Sequence, residues 1–181
     1  MQPLSKFPNT IKTARLVLKT VDATDENAKK FLDIINQNRD YLQAWQGHFE
    51  YLNSVDDVKR KLAQRKEQQT QNECVLFGIY HDDAPIGRIR FFHIDGDKCE
   101  IGYWLIQSVN GNGYLTEALT ALESELFKFG FNRIVLDIDD GNVKSENVAK
   151  RNGYKLEQRL PMASWAKSVG KCDSLIYVKH R

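Results

Sequence analysis

The stretch from Gly102 to Leu119 (Gly-Tyr-Trp-Leu-Ile-Gln-Ser-Val-Asn-Gly-Asn-Gly-Tyr-Leu-Thr-Glu-Ala-Leu) constrains the fold more than any other part of the chain. Its apolar start predicts a strand, Gly111 and Gly113 a tight loop, and the residues after them a helix. That order points free backbone N–H groups and the positive end of a helix dipole at one spot. Such a spot binds phosphate, and glycines let the backbone approach a ligand with no Cβ in the way.

The 181 residues suit one domain, 1–181, with residues 1–12 expected to form a loosely ordered N-terminal segment. A net charge of +2 is too small to argue for nucleic acid. The basic tract Lys59–Lys66 is interrupted by Leu62 and Ala63 and reads as a solvated helix face. No apolar run reaches membrane-spanning length, and Met-Gln-Pro-Leu-Ser-Lys lacks the apolar core of a signal peptide, so a cytoplasmic protein is expected. Cys74, Cys99 and Cys172 are odd in number and widely spaced. They suggest neither a disulfide framework nor a metal site, and plain thiols are expected.

Thr13–Lys19 reads as a first strand. Asp22 or Thr24 can cap a helix with apolar positions from Ala28 to Trp45, broken near Asn36–Arg39. A second helix starts behind Ser54 with Val55, Val58 and Leu62 on one face, and Gln64–Asn72 reads as a frayed end or loop. Cys74–His81, Ile86–Ile94 and Cys99–Ile106 are strands joined by short turns, hence antiparallel; His93 keeps phase with Ile89 and Phe91. Leu115, Ala118, Leu119, Leu122, Leu126 and Phe129 make an amphipathic helix with Gly130 at its C-cap. Arg133–Asp139 reads as a central strand covered on both faces. A short helix Ser145–Arg151 follows. Two closing strands, around Tyr154–Leu160 and Ser174–Lys179, flank a loop that includes Trp165 and Gly170. The expected fold is α+β: a mostly antiparallel mixed sheet with helices on its faces.

Two ligands compete for the glycine loop. Gly111-x-Gly113-x-x-Thr116 comes within one residue of a dinucleotide fingerprint, with Asp137 and Asp139 about where a ribose-binding acid belongs. Against it stand the Thr, the single strand–helix–strand unit and the antiparallel meander. The alternative is coenzyme A, whose pyrophosphate needs the same cradle and whose pantetheine arm needs an extended partner.

Glu100-Ile-Gly-Tyr-Trp-Leu105, Gly111-Asn-Gly-Tyr-Leu-Thr-Glu-Ala118, and Asn142-Val-Lys-Ser145 through Asn152-Gly-Tyr154 resemble the GNAT N-acetyltransferases. The likeness is to the RimL/RimJ branch, which acetylates ribosomal-protein N termini, and it covers nearly the whole chain in element order. It implies a GNAT fold in which the strand from Glu100 splays away from Arg133–Asp139 to admit acetyl-CoA. It implies a donor site of Trp104, Leu105, Ile106, Gly111, Asn112, Gly113, Tyr114, Leu115, Thr116, Asn142 and Ser145. The acceptor it implies is a primary amine, first a protein α-amino group, alternatively a polyamine or aminoglycoside. A non-catalytic acyl-CoA-binding module is a further alternative, since the tyrosine acid of many members is replaced here by Ala149. Ser108 also departs from the Gln or Arg of the common loop signature. Members of the branch often form homodimers; the sequence singles out no surface for one.

The chemistry needs few groups: the amine loses a proton, the carbonyl oxygen gathers charge, and the thiolate leaves. Glu100 is the candidate base, or else a solvated strand carboxylate. Ser145 is the candidate partner of the sulfur, or else a helix cap. Asn142 either bonds the pantetheine arm or fixes the turn after the strand. Thr116 either bonds phosphate or satisfies a first-turn amide, and Glu117 stabilises the helix dipole. Trp45, Tyr103 and Trp165, with Tyr41 and Trp104, are candidates for walls of the acceptor pocket, and Trp45 reads equally as core. The acceptor is set by the loops around Trp45–Asn53 and Leu160–Lys171.

Overall fold

The computed structural model describes residues 2–181. In chain order the strands are β1 (Thr10–Lys12), β2 (Val17–Thr20), β3 (Cys74–His81), β4 (Ala84–Asp95), β5 (Lys98–Leu105), β6 (Arg133–Asp139), β7 (Lys155–Ala166) and β8 (Gly170–His180). The helices are α1 (Asp25–Gln37), α2 (Arg39–Gln43), α3 (Val55–Thr70), α4 (Tyr114–Phe129) and α5 (Val143–Arg151). The strands form one eight-stranded sheet in the order β1-β2-β3-β4-β5-β6-β8-β7. Every neighbouring pair is antiparallel except β5–β6, which is parallel.

Two apolar layers cover the sheet. On one face Leu119, Leu122 and Leu126 of α4 and Ala149 of α5 pack with Ile89, Phe91, Ile101 and Leu136. On the other, Phe31 and Ile35 of α1 and Val58 and Leu62 of α3 pack with Leu76 and Trp104. Local signals set the helix ends. The Thr24 side chain accepts from Asn27 N at 3.2 Å, and Ser54 and Asp57 form a reciprocal capping box. Gly130, at φ +114°, closes α4 in the left-handed region.

The parallel pair is short. Lys98–Glu100 pair with Arg133–Val135, after which β5 runs on to Leu105 and β6 to Asp139 without further pairing. The strands diverge there because β6 stays bonded to β8 along Arg133–Asp139 while β5 follows β4. A wedge therefore opens in the middle of the sheet.

Several expectations need correction. Of the expected loose segment, residues 2–12 are ordered: Leu4, Phe7 and Ile11 are buried, Phe7 packs 4.8 Å from the Phe91 ring, and β1 joins the sheet edge; Met1 lies outside the described residues. The polar tail of α3 stays helical to Thr70, since Gln, Lys, Glu and Arg are good helix formers and no Gly or Pro interrupts them. Trp165 and Gly170 lie in one long β7–β8 hairpin and not in a loop. β6 is buried on one face only, through Ile134, Leu136 and Ile138. A bulge between Phe92 and Asp95, with His93 at φ +48°, takes His93 out of phase with Ile89 and Phe91 and leaves it exposed.

Candidate active site

The loop that follows β5 delivers what its glycines foretold. Gly111 (φ +86°) and Gly113 (φ +76°) occupy the left-handed region, and α4 begins at Tyr114. Among the described residues, the amides of Gly111 through Thr116 have no hydrogen-bond partner. All of these residues but Asn112 line, with Asn142–Ser145 and Arg151, a cavity of about 810 Å³.

Arg15, which no motif or periodicity singles out, braces this loop. Its Nη1 donates to Asn112 O at 3.0 Å, and its Nε donates to Glu117 Oε2 at 2.7 Å. Glu117 also accepts from Thr13 Oγ1 at 2.6 Å and Arg15 N at 2.9 Å. Partial burial works against its charge, but these bonds hold the Glu117 carboxyl below its ordinary range. Glu117 is thus a buttress for Arg15 as well as a dipole partner. Arg151 Nε reaches Thr116 Oγ1 at 3.5 Å from the other side. Cations on both flanks and free amides between them suit a pyrophosphate.

Of the expected donor residues, Trp104, Leu105, Gly111, Gly113, Tyr114, Leu115, Thr116, Asn142 and Ser145 line this cavity. Ile106 and Asn112 do not: Ile106 packs against the apolar layers, and Asn112 turns its amide to Val109 O at 3.2 Å. The expected acceptor residues Trp45 and Tyr103 line it too, with Tyr41. Trp165 lies outside it, 64% exposed on β7.

At the wedge a smaller cavity of about 120 Å³ is walled by Gly102, Tyr103, Asp137, Asp139, Asn142 and Ser145, with Trp45 and Gln46 over it. Asn142 caps α5 by accepting from Ser145 N at 3.3 Å, so the Ser145 hydroxyl is not the cap. The Tyr103 hydroxyl is buried, without a partner of good geometry among the described residues, and faces Ser145. Burial pushes the phenol above its ordinary range, and Ser145 opposes this only partly, so Tyr103 stays a protonated donor. Ala149, where many members of the resembled family carry tyrosine, is fully buried in the core; the phenol beside Ser145 comes from β5 instead.

Glu100 sits apart from both cavities. It shares the face of Gly102 and Trp104 as expected, yet its carboxylate accepts from His93 Nδ1 at 2.9 Å in a neighbouring recess. The carboxylates in the wedge are Asp137 and Asp139, which the sequence offered only as ribose ligands. Each accepts a hydroxyl, from Ser174 and Ser164 respectively. Burial, with Asp137 beside it, holds Asp139 above the ordinary range despite the Ser164 bond. Burial does the same to Glu100 against the opposing His93 bond.

A phosphate cradle, a wedge between parallel strands and a hydroxyl pair at the wedge form one arrangement. The sequence profile described as "Acetyltransferase (GNAT) domain" matches residues 15–155. The chain belongs to the GNAT acetyltransferase family. A ribosomal-protein-serine acetyltransferase of Escherichia coli (strain K12) is 29% identical over 144 residues, spanning 78% of this chain and 80% of the relative. The microcin C7 self-immunity acetyltransferase MccE, solved with acetyl-CoA and AMP, superposes with a TM-score of 0.88 at 25% identity, covering 96% of this chain and 97% of that one. Mycobacterium smegmatis RimJ, solved with a CoA disulfide, shares the fold with a TM-score of 0.89 at 20% identity over 99% of this chain and 90% of that one.

As a GNAT enzyme the chain takes its acetyl group from acetyl-CoA. The residues present fit that donor, with unpartnered amides and cations at the pyrophosphate end and an unpaired buried hydroxyl at the thioester end. The dinucleotide alternative is overturned by the family match and by a sheet with one short parallel pair. Among the described residues no cluster of metal-binding side chains is found, the cysteines are free and buried, and no helix is long and apolar enough to cross a membrane.

Proposed function

We propose that this enzyme acetylates the α-amino group of a protein N terminus, of the ribosomal-protein kind, by direct attack in a ternary complex. The observation that carries this is the wedge: it joins the donor cavity to the opposite sheet face, where Asp137 and Asp139 await an amine. The E. coli relative, named for a ribosomal-protein serine, supports the same acceptor class.

Acetyl-CoA supplies an activated thioester carbonyl when bound. Tyr103 and Ser145 form the hydroxyl pair that donates to the sulfur as it leaves. Gln46 Nε2 donates to Tyr103 O at 2.8 Å, which fixes the open edge of β5. Asp139, biased toward proton uptake by burial, accepts the amine proton, while Glu100, outside both cavities and held by His93, takes no part.

The test is release of CoA thiol across serine-initiated peptides, a polyamine and an aminoglycoside. Turnover confined to the peptides is expected, and turnover confined to a small amine would refute the acceptor. With the peptide, Ser145→Ala should lower kcat by ~100-fold and leave the KM for acetyl-CoA little changed. A raised KM with intact kcat would rule out the thiol role.

A further inference from the structure

The acceptor face carries an uncompensated cluster of positive charge. Arg88 and Arg90 lie opposite Trp104 and Gly102 in the β4–β5 register, so both project from the sheet on the side away from α4. α3 lies over this side and adds Lys61 and Arg65, one helical turn apart and half-buried. The tract that reads as a solvated face in the sequence is therefore partly turned inward. His48, from the 3-10 turn Gly47–Tyr51, completes the ring with its Nε2 2.9 Å from Arg88 Nη2.

None of these four cations is ion-paired among the described residues. Lys61 Nζ donates to Gln64 at 3.1 Å and Arg65 to Gln68, both neutral amides of the same helix. Aromatic rings hold the arginines in place without neutralising them: Arg90 Cζ lies 3.8 Å from the Phe92 centroid, and Arg88 Cζ 5.6 Å from that of Trp104. The groups feel one another. Burial first, then the surrounding cations, push the His48 imidazole down to about 3, so it stays neutral and accepts from Arg88. The carboxylate that interacts with the cluster, Glu100, is already held by His93 in the neighbouring recess.

Gly102 links this cluster to the reaction. It walls the wedge, and a Cβ built on it would lie 3.7 Å from Arg90 Nε. Asp137 and Asp139 on β6 lie across β5 and the wedge from β4, past the last paired residue Val135, so more than two regular strand spacings, over ~9.6 Å, separate them. One face thus presents carboxylates on one flank and free cations on the other.

We propose that Lys61, Arg65, Arg88 and Arg90 form an acceptor subsite for an anionic group, carboxylate or phosphate, carried roughly 10 Å from the reacting amine in the wedge. This rests on the wedge as the place of acetyl transfer. An extended peptide advances ~3.5 Å per residue, so the anion falls on its second or third residue. The substrate class is an N terminus followed at once by acidic or phosphorylated residues.

The test is equilibrium binding to the CoA-saturated protein of serine-initiated peptides bearing Asp, Gln, Lys or phosphoserine at positions two and three. Asp or phosphoserine peptides should bind ~10- to 100-fold more tightly than the Gln peptide. Arg90→Gln should remove most of that preference. So should Lys61→Gln with Arg65→Gln, changes on a half-exposed helix face that leave the sheet intact. Whichever of the two acidic series binds more tightly identifies the source of the anion. Equal binding of Asp and Gln peptides, or a preference that survives both sets of substitutions, overturns the subsite. Equal binding with acetylation would leave the peptide acceptor standing and sink only the subsite. Acid-selective binding without CoA release would do the reverse, and absence of binding by any peptide overturns both.

Discussion

Gly113→Asp is expected to cut acetyl-CoA affinity by ~100- to 1,000-fold while leaving a folded protein. A carboxylate placed ~4–5 Å from the pyrophosphate repels it by ~3–4 kcal/mol at an effective dielectric near 20. The fold tolerates the change for two reasons. The nearest atom to a Cβ at Gly113 is Arg15 Nη2 at 3.7 Å, an ordinary contact to a flexible side chain. Aspartate also enters the left-handed region more readily than most residues, at a cost of ~1 kcal/mol. In thermal unfolding, wild type at a hundred times its dissociation constant gains ~2.7 kcal/mol, or roughly 5–11 °C for a chain this size. The variant should keep at most ~0.4 kcal/mol of that gain at the same ligand concentration, and Gly113→Ala should keep most of it. An Asp variant that binds acetyl-CoA like wild type would remove the loop from the donor site.

The second large effect lies beneath the site. Glu123 of α4 is 2% exposed and accepts from Lys179 Nζ of β8 at 2.6 Å, while its other oxygen has no partner of good geometry among the described residues. Lys179→Met strands a buried carboxylate, and a loss of ~3 kcal/mol is expected, lowering the melting midpoint by roughly 6–12 °C. Replacing both partners, Glu123→Leu with Lys179→Met, should recover most of it, because an apolar pair leaves no charge uncompensated. The loss depends on pH with a definite sign. Burial already holds Glu123 above its ordinary value of 4.5, with Lys179 opposing. Without Lys179 the folded-state value climbs further. The stability of the single variant is then fully present below the unfolded value and lost as pH rises through the folded one. Its deficit against wild type must shrink on acidification; a deficit that grows there would show that the pair does not control this charge.

The sequence reveals most where one segment carries its own instructions. The amphipathic period of α4, its bounding glycines and the Ser54–Asp57 box are local, and each lands within a residue or two of the observed element. The β7–β8 hairpin is hidden because β7 is exposed along nearly its whole length and bulged at Leu156–Gln158 and Leu160–Ser164, so no alternation marks it. The burial of Leu4, Phe7 and Ile11 escapes notice because their i, i+3, i+7 spacing is that of a helix, which Pro8 forbids, and the segment instead buries them from a 3-10 turn and a short strand. In the site, the loop is legible because glycine conformation and helix dipole act over a few residues. Arg15, the Tyr103–Ser145 pair and the wedge carboxylates are not, since each depends on chain segments brought together from far apart in sequence. Glu100 shows the limit of alternation: it fixes the face but not the partner, and the bulge at Phe92–Asp95, across the β4–β5 turn, hands Glu100 to His93, seven residues back.

The most direct measurement is tandem mass spectrometry of a serine-initiated peptide carrying an internal lysine, after incubation with the enzyme and acetyl-CoA. One acetyl group on the α-nitrogen, formed ~100-fold more slowly by Ser145→Ala at equal enzyme concentration, is the predicted result. An acetyl group on the lysine side chain, or an unmodified peptide beside an acetylated small amine, would contradict it.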